Sequence, residues 1–504
     1  MKIQLIGHDE KYTVEQSLLA LFPEERPVYE AVTPAADARW MIVSLREDEA
    51  DGKQTCHVTT ELGWDGQCGP YTMGMPLTGT EYEKEGLRRR CMGLSIFRAA
   101  HTVLGIAPPW GSLTGVRPGK IAARSLTESA GRGFDDARAE KAAMDLMTGL
   151  YSVTPPRARL ALESARAGLK AKAELEKRDI AAYIGIPFCP TRCAYCSFVS
   201  ASVERSFALV DPYLDALCDE VRAAGAMVRE QGLRTRAFYM GGGTPTTLTA
   251  EQMDRLLTVF EESFDLTACS ETTIEAGRPD TITPEKLAVL KKHGITRVSV
   301  NPQTMEDHVL QAIGRRHSAD DIRRCMEQVA AAGFDHVNMD LIAGLPEDTP
   351  EGFRRSLDEC LTFGADNITV HTLSLKKGST ILTRGLAIPD AAAVGEMLDY
   401  ADPTLRKAGM EPYYLYRQKY MSGSFENVGW CRPGAENLYN IYIMEELCSI
   451  LSMGAGGSTK MVDLSAGRIQ RAFNLKYPKE YTERPEKWQA NQAEFAAFHQ
   501  EMMQ

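Results

Sequence analysis

The chain has 504 residues, of which 44% are hydrophobic and 25% are charged. This is the composition of an ordinary folded protein, and it excludes intrinsic disorder as the main state. The formal net charge is −11, which makes a phosphate backbone a poor electrostatic partner, so we expect no nucleic-acid binding. No run of about 18 apolar residues occurs and no signal peptide is recognisable, so we expect a cytoplasmic protein with no integral membrane segment.

Residues 1–175 predict an N-terminal α+β extension. Candidate strands are Lys2–Ile6, Arg39–Leu45 and Gln54–Thr60. A helix is predicted between Leu87 and Leu104, where apolar residues recur at steps of three, four and seven. This extension contains no recognisable chemical motif, so the sequence assigns it no role.

Residues 176–380 alternate short apolar runs with amphipathic stretches of helical length. The six candidate strands are Ala181–Ile186, Arg236–Met240, Thr272–Glu275, Arg297–Val300, His336–Leu341 and Asn367–Thr372. Strand followed by helix, six times over, indicates a parallel sheet with helical crossovers. Six units suit either a doubly wound sheet or an incomplete (β/α) barrel. In a barrel, the functional residues lie at the carboxyl ends of the strands.

Residues 381–504 form a third region with a looser pattern. A helix is predicted over Ala391–Ala408, and an aromatic and glycine-rich stretch follows from Tyr413 to Thr459. The remainder is a polar tail.

Three of the twelve cysteines fall within eight residues, directly after the first strand of the middle region. Cys189, Cys193 and Cys196 have the spacing CxxxCxxC. Structural zinc sites usually use two separated pairs of ligands, and the chain has no second CxxC. An iron–sulfur cluster normally takes four thiolates, so three thiolates on a 4Fe–4S cluster leave one iron free for another ligand. The structural alternative is three incidental buried cysteines.

The later strands end in polar or glycine-rich residues. The second strand is followed by Gly241-Gly242-Gly243-Thr244-Pro245, which lets a ligand approach the backbone closely. The third strand ends at Glu275, and the remaining polar groups at or after strand ends are Gln303, Arg315 and Asp340. Carboxylates, an amide and an arginine suit an ammonium group, ribose hydroxyls and a carboxylate. S-adenosylmethionine (SAM) carries all three.

These motifs resemble the radical SAM superfamily, which has CxxxCxxC after its first strand and GGGTP after its second. The segments YIGIPFC, GGGTPT, TIEA and DLIAGLP are similar to the oxygen-independent coproporphyrinogen III dehydrogenase group. Within it, CAYCSF, YYLYRQKY, FENVGW and GAGGS resemble the HemZ branch. The resemblance implies an α/β fold: a partial (β/α)6 barrel with an α+β N-terminal domain and a C-terminal α/β cap. Residues 381–504 would then cover the substrate.

The resemblance also implies the cofactors and their contacts. The three cysteines would hold a 4Fe–4S cluster, and one or two SAM molecules would bind. The implied SAM contacts are Tyr183, Tyr195, Gly242, Gly243, Thr244, Glu275, Gln303, Arg315, Asp340 and Ser374. Among them, Tyr183, Glu275 and Asp340 are the expected catalytic residues.

The implied reaction is oxidative decarboxylation of coproporphyrinogen III to protoporphyrinogen IX in anaerobic heme biosynthesis. Reductive cleavage of SAM yields radicals, each of which takes a hydrogen from one of two propionates, and each propionate then loses carbon dioxide and a further electron. An electron-donating reductase, flavodoxin or ferredoxin is the implied partner. The alternatives are modification of another porphyrin and a heme-binding chaperone.

The chain departs from the relatives at three positions. Where the dehydrogenases often have a histidine and a further cysteine, this chain has Gly185 and Phe198. The chaperones carry a heme motif that begins with His-Asn, and the matching position here is Tyr439. We therefore expect no heme ligation through that motif.

A tetracarboxylate substrate needs cations at its rim and apolar walls around its ring. The candidate cations are Lys376, Lys377, Arg417, Lys419 and Arg432, and the candidate walls are Tyr413, Tyr414, Tyr416 and Trp430. The alternative is that these residues simply pack the C-terminal region.

Overall fold

The computed structural model describes residues 1–197, 201–202, 206–376, 378–418 and 422–504. The chain divides into two compact units. The first contains Met1–Leu162 with Arg417–Phe425, and the second contains Glu163–Tyr416 with Glu426–Gln504. None of the helices in the described part of the chain is long and apolar enough to cross a membrane.

The first unit is built on a five-stranded sheet with the order β2-β1-β3-β4-β5. Its strands are β1 (Lys2–Ile6), β2 (Val28–Tyr29), β3 (Arg39–Ala50), β4 (Lys53–Trp64) and β5 (Gln67–Leu77). Its helices are α1 (Lys11–Leu21), α2 (Glu81–Leu104), α3 (Gly119–Gly131) and α4 (Asp136–Asp145), with a π-helical turn at Leu146–Leu150. The three predicted strands and the predicted helix are confirmed.

Two Asp-Gly turns explain the long β3-β4-β5 meander of this unit. All four residues of the turns Asp51-Gly52 and Asp65-Gly66 have positive φ, which is the conformation of a tight two-residue hairpin turn. The three strands that these turns join, β3, β4 and β5, are therefore paired antiparallel from end to end. Apolar residues of one sheet face pack with α1 and α2 in a single core.

The second unit contains the six predicted parallel strands. They are β6 (Asp179–Ile186), β9 (Arg234–Gly242), β10 (Glu271–Gly277), β11 (Arg297–Gln303), β12 (His336–Ala343) and β13 (Asn367–Thr372), paired in this order. A short pair, β7 (Phe188–Cys189) and β8 (Ala201–Ser202), follows β6. The fold is therefore the partial (β/α)6 barrel that the family resemblance implies.

Helices connect these strands, and most begin at a side-chain cap. The helix α5 (Pro155–Ala173) precedes β6, and the connecting helices are α6 (Val210–Glu230), α7 (Ala250–Ser263), α8 (Pro284–Lys292), α9 (Asp307–Ala312), α10 (Ala319–Ala332) and α11 (Pro350–Thr362). Thr249 and Ser318 form reciprocal capping boxes with the residue three positions later. Thr283 and Thr349 cap helices whose first residue is proline. These local signals explain where these helices start.

Residues after 380 extend the barrel sheet at both edges, which the sequence pattern did not predict. The elements are α12 (Ala391–Lys407), β14 (Glu411–Arg417), β15 (Glu426–Cys431), α13 (Leu438–Glu445), β16 (Ser449–Met453), β17 (Ser458–Asp463), β18 (Arg468–Phe473), α14 (Pro478–Glu483) and α15 (Glu486–Met503). The full order is β14-β15-β13-β12-β11-β10-β9-β6-β16-β17-β18. β15 and β16 are buried at every position, so neither shows the alternating pattern of a half-exposed strand.

A buried carboxylate fastens the C-terminal segment to α6. Glu220 is 1% exposed and accepts hydrogen bonds from the Gly454 amide at 2.7 Å, from Asn474 Nδ2 at 2.8 Å and from the Tyr481 hydroxyl. Burial raises the pKa of Glu220 from 4.5 to about 7, although these hydrogen bonds act in the opposite direction.

We expect Glu220 to make folding stability decrease as the pH rises from 4.5 to 7. In this range the folded protein retains a proton that the unfolded chain has released, so the free energy of unfolding falls by on the order of 3 kcal/mol. The neutral variant Glu220→Gln should lack this part of the slope. Thermal unfolding of the metal-free protein at several pH values measures it, and an unchanged slope in the variant contradicts the expectation.

Candidate active site

The three clustered cysteines lie where the chain leaves β6. Cys193 is buried, and Cys189 and Cys196 are half-buried. We call residues 189–196 the cluster loop. Its Ala194 amide donates to the Ile313 carbonyl at 2.9 Å, and its Ala194 carbonyl accepts from the Thr380 amide at 2.7 Å. The loop is therefore held between the segments that follow β11 and β13.

The glycine-rich loop after β9 packs backbone-to-backbone against the residues between β6 and the first cysteine. The Gly243 amide donates to Ile186 O and the Thr244 amide donates to Phe188 O, both at 2.7 Å. A Cβ at Gly243 would lie 2.5 Å from the Phe188 carbonyl, so only glycine allows this approach. Thr244 is buried, and its hydroxyl donates to Cys189 Sγ at 3.5 Å. The sequence-predicted Gly242, Gly243 and Thr244 thus lie beside the first cysteine.

Two carboxylates follow on β10 and β12, the parallel strands on either side of β11. Glu275 accepts a hydrogen bond from the Tyr239 hydroxyl at 2.5 Å. Asp340 accepts from Asn338 Nδ2 at 2.8 Å and lies 3.6 Å from His371 Nε2. The two carboxylates are close enough to interact, because the Asp340 charge raises the pKa of Glu275.

The surroundings of Glu275 raise its pKa close to neutral pH. Burial raises its pKa to about 7, and the charge of Asp340 acts in the same direction. The Tyr239 hydroxyl, the Gly242 amide and the His371 ring oppose this shift. A cation bound beside Glu275 would stabilise its ionised form, so the pair of carboxylates suits a cationic ligand.

The amide and the guanidinium predicted from the strand ends, Gln303 and Arg315, lie at the end of β11 and on the segment that follows it. Gln303, the last residue of β11, is 6% exposed and has a φ of 72°, which is rare for a residue with a side chain. Its Oε1 has no hydrogen-bond partner among the described residues. Arg315 is buried and donates to the Asn301 carbonyl and to the Tyr195 hydroxyl at 3.1 Å. Ser374 is half-buried and lies two residues after β13.

The residues present fit a 4Fe–4S cluster and an additional small ligand. Three thiols in one loop match three irons, and the buried Gln303 Oε1 and Arg315 Nε have no partners among the described residues. Buried polar atoms of this kind are rare unless a ligand or water satisfies them. In the described part of the chain, no three Cys, His, Asp or Glu side chains lie close enough together to hold a single metal ion. A cluster differs from such a site because each thiolate ligates a separate iron.

Sequence reasoning did not connect Tyr239 and Tyr439 with Glu275, although both interact with it. The Tyr239 ring stacks on that of Tyr439 with centroids 4.5 Å apart, and Tyr183 stacks on both at 6.2 and 6.0 Å. Gly241 lies on the same face of β9 as Tyr239, and its missing Cβ leaves room for Glu275. Because β9 is almost entirely buried, its inward-facing residues cannot be recognised from alternation.

The candidate substrate contacts in the described part of the chain have different surroundings. Arg417 belongs to the first unit, where its guanidinium is buried and donates to the carbonyls of Leu113 and Ser424. The Arg432 amide donates to the carbonyl of Asp366, the residue before β13, so Arg432 lies at the amino ends of the parallel strands, away from the cluster loop.

The other candidates divide as follows. Trp430 is buried, with the Arg406 guanidinium 5.2 Å from its ring. Burial raises the pKa of Tyr414, and the charges of Tyr413, Tyr416 and Asp340 act in the same direction. Burial lowers the pKa of Lys376, and the charge of Cys196 acts in the opposite direction. Lys377, Lys419 and Phe198 lie outside the described residues.

A cavity of about 380 Å³ opens at the opposite edge of the barrel, at the amino ends of β10, β11 and β12. Its buried polar residues, Arg297 and Glu271, are 3.5 Å apart, and Arg297 also donates to the Ala435 carbonyl at 3.0 Å. These contacts join the 435–436 segment to the sheet. The cavity contains none of the predicted site residues.

Comparison with known proteins agrees with this geometry. Residues 183–360 match the family model of the radical SAM superfamily. The chain is 36% identical over 490 residues to the oxygen-independent coproporphyrinogen-III oxidase-like protein HemZ of Bacillus subtilis, covering 96% of this chain and 95% of that protein. It is 31% identical over 307 residues to the heme chaperone HemW of Mycobacterium tuberculosis, covering 60% of this chain and 73% of that protein.

Among solved structures, coproporphyrinogen III oxidase HemN of Escherichia coli, a radical SAM enzyme, has a similar fold. The TM-score is 0.51 at 24% identity, covering 64% of this chain and 72% of that chain. Together with the near full-length similarity to HemZ, these findings confirm the resemblance recognised from the motifs. The chain belongs to the radical SAM superfamily and, within it, to the family of the oxygen-independent coproporphyrinogen-III oxidase-like protein HemZ.

Proposed function

We propose that this protein is a radical SAM oxidoreductase that decarboxylates coproporphyrinogen III to protoporphyrinogen IX. The observation that carries the proposal is the convergence of a three-cysteine loop, a glycine-rich loop and a half-buried carboxylate pair at the carboxyl ends of the parallel strands. Functional groups of barrel enzymes lie at this edge. The similarity to HemZ and HemN supports a porphyrinogen as the substrate class.

The cofactors are a 4Fe–4S cluster on Cys189, Cys193 and Cys196 and at least one SAM molecule. When bound, they supply a reductively generated carbon radical that removes a hydrogen atom from the substrate. The residues of this chain bind the cofactors and orient SAM. Glu275 and Asp340 pair with the cationic groups of SAM, and Gln303 accepts from its ribose hydroxyls. Tyr183, Tyr195, Gly242, Gly243, Thr244 and Ser374 complete the proposed SAM contacts.

Arg315 is the proposed partner of the SAM carboxylate. We expect Arg315→Ala to weaken SAM binding by about 1.5–3 kcal/mol, roughly ten- to a hundredfold, because a charge-assisted hydrogen bond is lost. Equilibrium dialysis with labelled SAM, on protein of known cluster content, measures the effect. Arg316→Ala is the matched control, since Arg316 is the adjacent exposed arginine. Equal affinity in Arg315→Ala and the wild type contradicts this role.

The test of the reaction is anaerobic turnover. Reconstituted protein is incubated with coproporphyrinogen III, SAM and a partly reduced flavodoxin, whose oxidised fraction accepts the electron released with each carbon dioxide, and the products are identified by mass spectrometry. We expect protoporphyrinogen IX and carbon dioxide to appear together with methionine and 5′-deoxyadenosine. Absence of decarboxylation by cluster-loaded protein that cleaves SAM would contradict the proposed substrate.

Heme carriage is the second candidate function, because the chain is also similar to the heme chaperone HemW. Tyr439 argues against it. Its side chain is 4% exposed and its ring is stacked on Tyr239 inside the barrel, so it is not available to an external heme. A heme titration followed by absorbance distinguishes the two functions. Tight heme binding by protein that leaves coproporphyrinogen III untouched would favour the carrier.

A further inference from the structure

The residues between the clustered cysteines are anchored by groups outside the cluster loop. The Thr191 hydroxyl donates to the Gly314 carbonyl at 3.3 Å. Arg192 Nη2 donates to the Gly378 carbonyl, and the Ser379 hydroxyl donates to the Ala194 carbonyl, both at 2.9 Å. The spacing of the three thiols therefore depends on the segments that follow β11 and β13.

Arg278 makes the most extensive of these contacts. It follows β10 directly, is 3% exposed, and donates through Nη1 to the Thr191 hydroxyl at 2.7 Å and to the Thr191 carbonyl at 3.2 Å. Its Nε and Nη2 donate to the two carboxylate oxygens of Asp280 at 3.0 and 2.9 Å. One guanidinium thus joins the cluster loop to a fixed carboxylate, which a lysine ammonium cannot do with the same geometry.

A buried histidine lies beside Asp280. His317 Nδ1 lies 3.5 Å from Asp280 Oδ1, and the His317 side chain is fully buried. His317 follows Arg315 by two residues, so the support extends to the segment that contacts Tyr195. The chain Thr191–Arg278–Asp280–His317 therefore connects the cluster loop with the ends of β10 and β11.

We propose that Arg278 is a positioning residue for the iron–sulfur cluster. By holding Thr191 midway between Cys189 and Cys193, it keeps the first two thiols at a fixed separation before and after the cluster is inserted. This inference rests on the cluster in the proposed function, and it adds a residue that contacts neither the thiols nor the strand-end groups assigned to SAM.

Two variants test this role independently. Arg278→Met removes the guanidinium and keeps the apolar stem, and Thr191→Val removes the hydroxyl and keeps the side-chain shape. Because groups that orient metal ligands typically contribute ten- to a hundredfold to metal affinity, we expect cluster absorbance to disappear about tenfold faster in each variant after a chelator is added anaerobically. Thr191→Ser retains the hydroxyl and should restore the stability of the wild-type cluster.

Arg255→Met is the control, because Arg255 is a half-exposed arginine paired with Asp215 at 2.6 Å, on α7. Thermal unfolding of each metal-free variant checks the fold, and the Thr191 pair decides the question if Arg278→Met does not fold. If the wild type holds a cluster and Thr191→Val retains it equally long, the inference is wrong and the proposed function is untouched. If the wild type itself holds no cluster, the proposed function fails.

Discussion

Replacement of Cys189, Cys193 and Cys196 together by alanine should abolish the iron–sulfur cluster. The three thiols lie in one loop, and a cluster held by three thiolates has no alternative protein ligand once all are removed. Anaerobically reconstituted wild-type protein should contain about four irons per chain, as expected for a cubane cluster, and the variant should contain almost none. Iron analysis and the visible absorbance measure this directly.

A second triple variant shows whether the loss is specific. Cys68, Cys218 and Cys325 lie outside the cluster loop, and Cys218 and Cys325 are buried among apolar side chains. Their replacement by alanine should leave the iron content unchanged. A full cluster in the Cys189/Cys193/Cys196 variant, or its equal loss in the control, refutes the assignment of the ligands.

The affinity for SAM should increase as the pH rises toward 7 and change little above it. Burial raises the pKa of Glu275 to about 7, so below this pH the carboxyl group is mostly neutral. A ligand cation pairs with the ionised form, and binding must then release a proton from Glu275. Each pH unit below 7 should therefore weaken binding by up to about tenfold. Equilibrium dialysis over a pH series measures the dependence.

Glu275→Gln should remove this pH dependence and weaken binding at pH 8 by roughly ten- to a hundredfold, because a neutral amide cannot replace a charge-assisted partner. Glu220→Gln is the matched control. Glu220 is also a buried carboxylate with a pKa raised to about 7, but it contacts Tyr481, Asn474 and Gly454. If Glu275→Gln retains the wild-type pH profile, Glu275 is not the group that pairs with SAM.

The sequence alone identified the cluster loop, because three cysteines within eight residues form a local pattern that needs no tertiary information. The six strands of the barrel were also predictable. Each is a short apolar run, and most of the helices between them begin at a Thr or Ser cap or at a first-turn proline. The polar strand ends followed from the same reasoning, because parallel strands bring their carboxyl ends to one edge of the sheet.

Only the tertiary structure decided which distant segments complete the site. β16 pairs with β6 across about 270 residues of sequence, and a Cβ at Gly454 would lie 2.6 Å from the Gly185 carbonyl. Tyr439 reaches Tyr239 from the C-terminal region, and Arg432 is carried to the opposite edge by the antiparallel direction of β15. Strand pairing between remote segments leaves no local pattern, and a strand buried on both faces does not show which side chains point inward. The sequence therefore determined the cysteine spacing and the barrel, whereas the packing of buried strands determined what surrounds them.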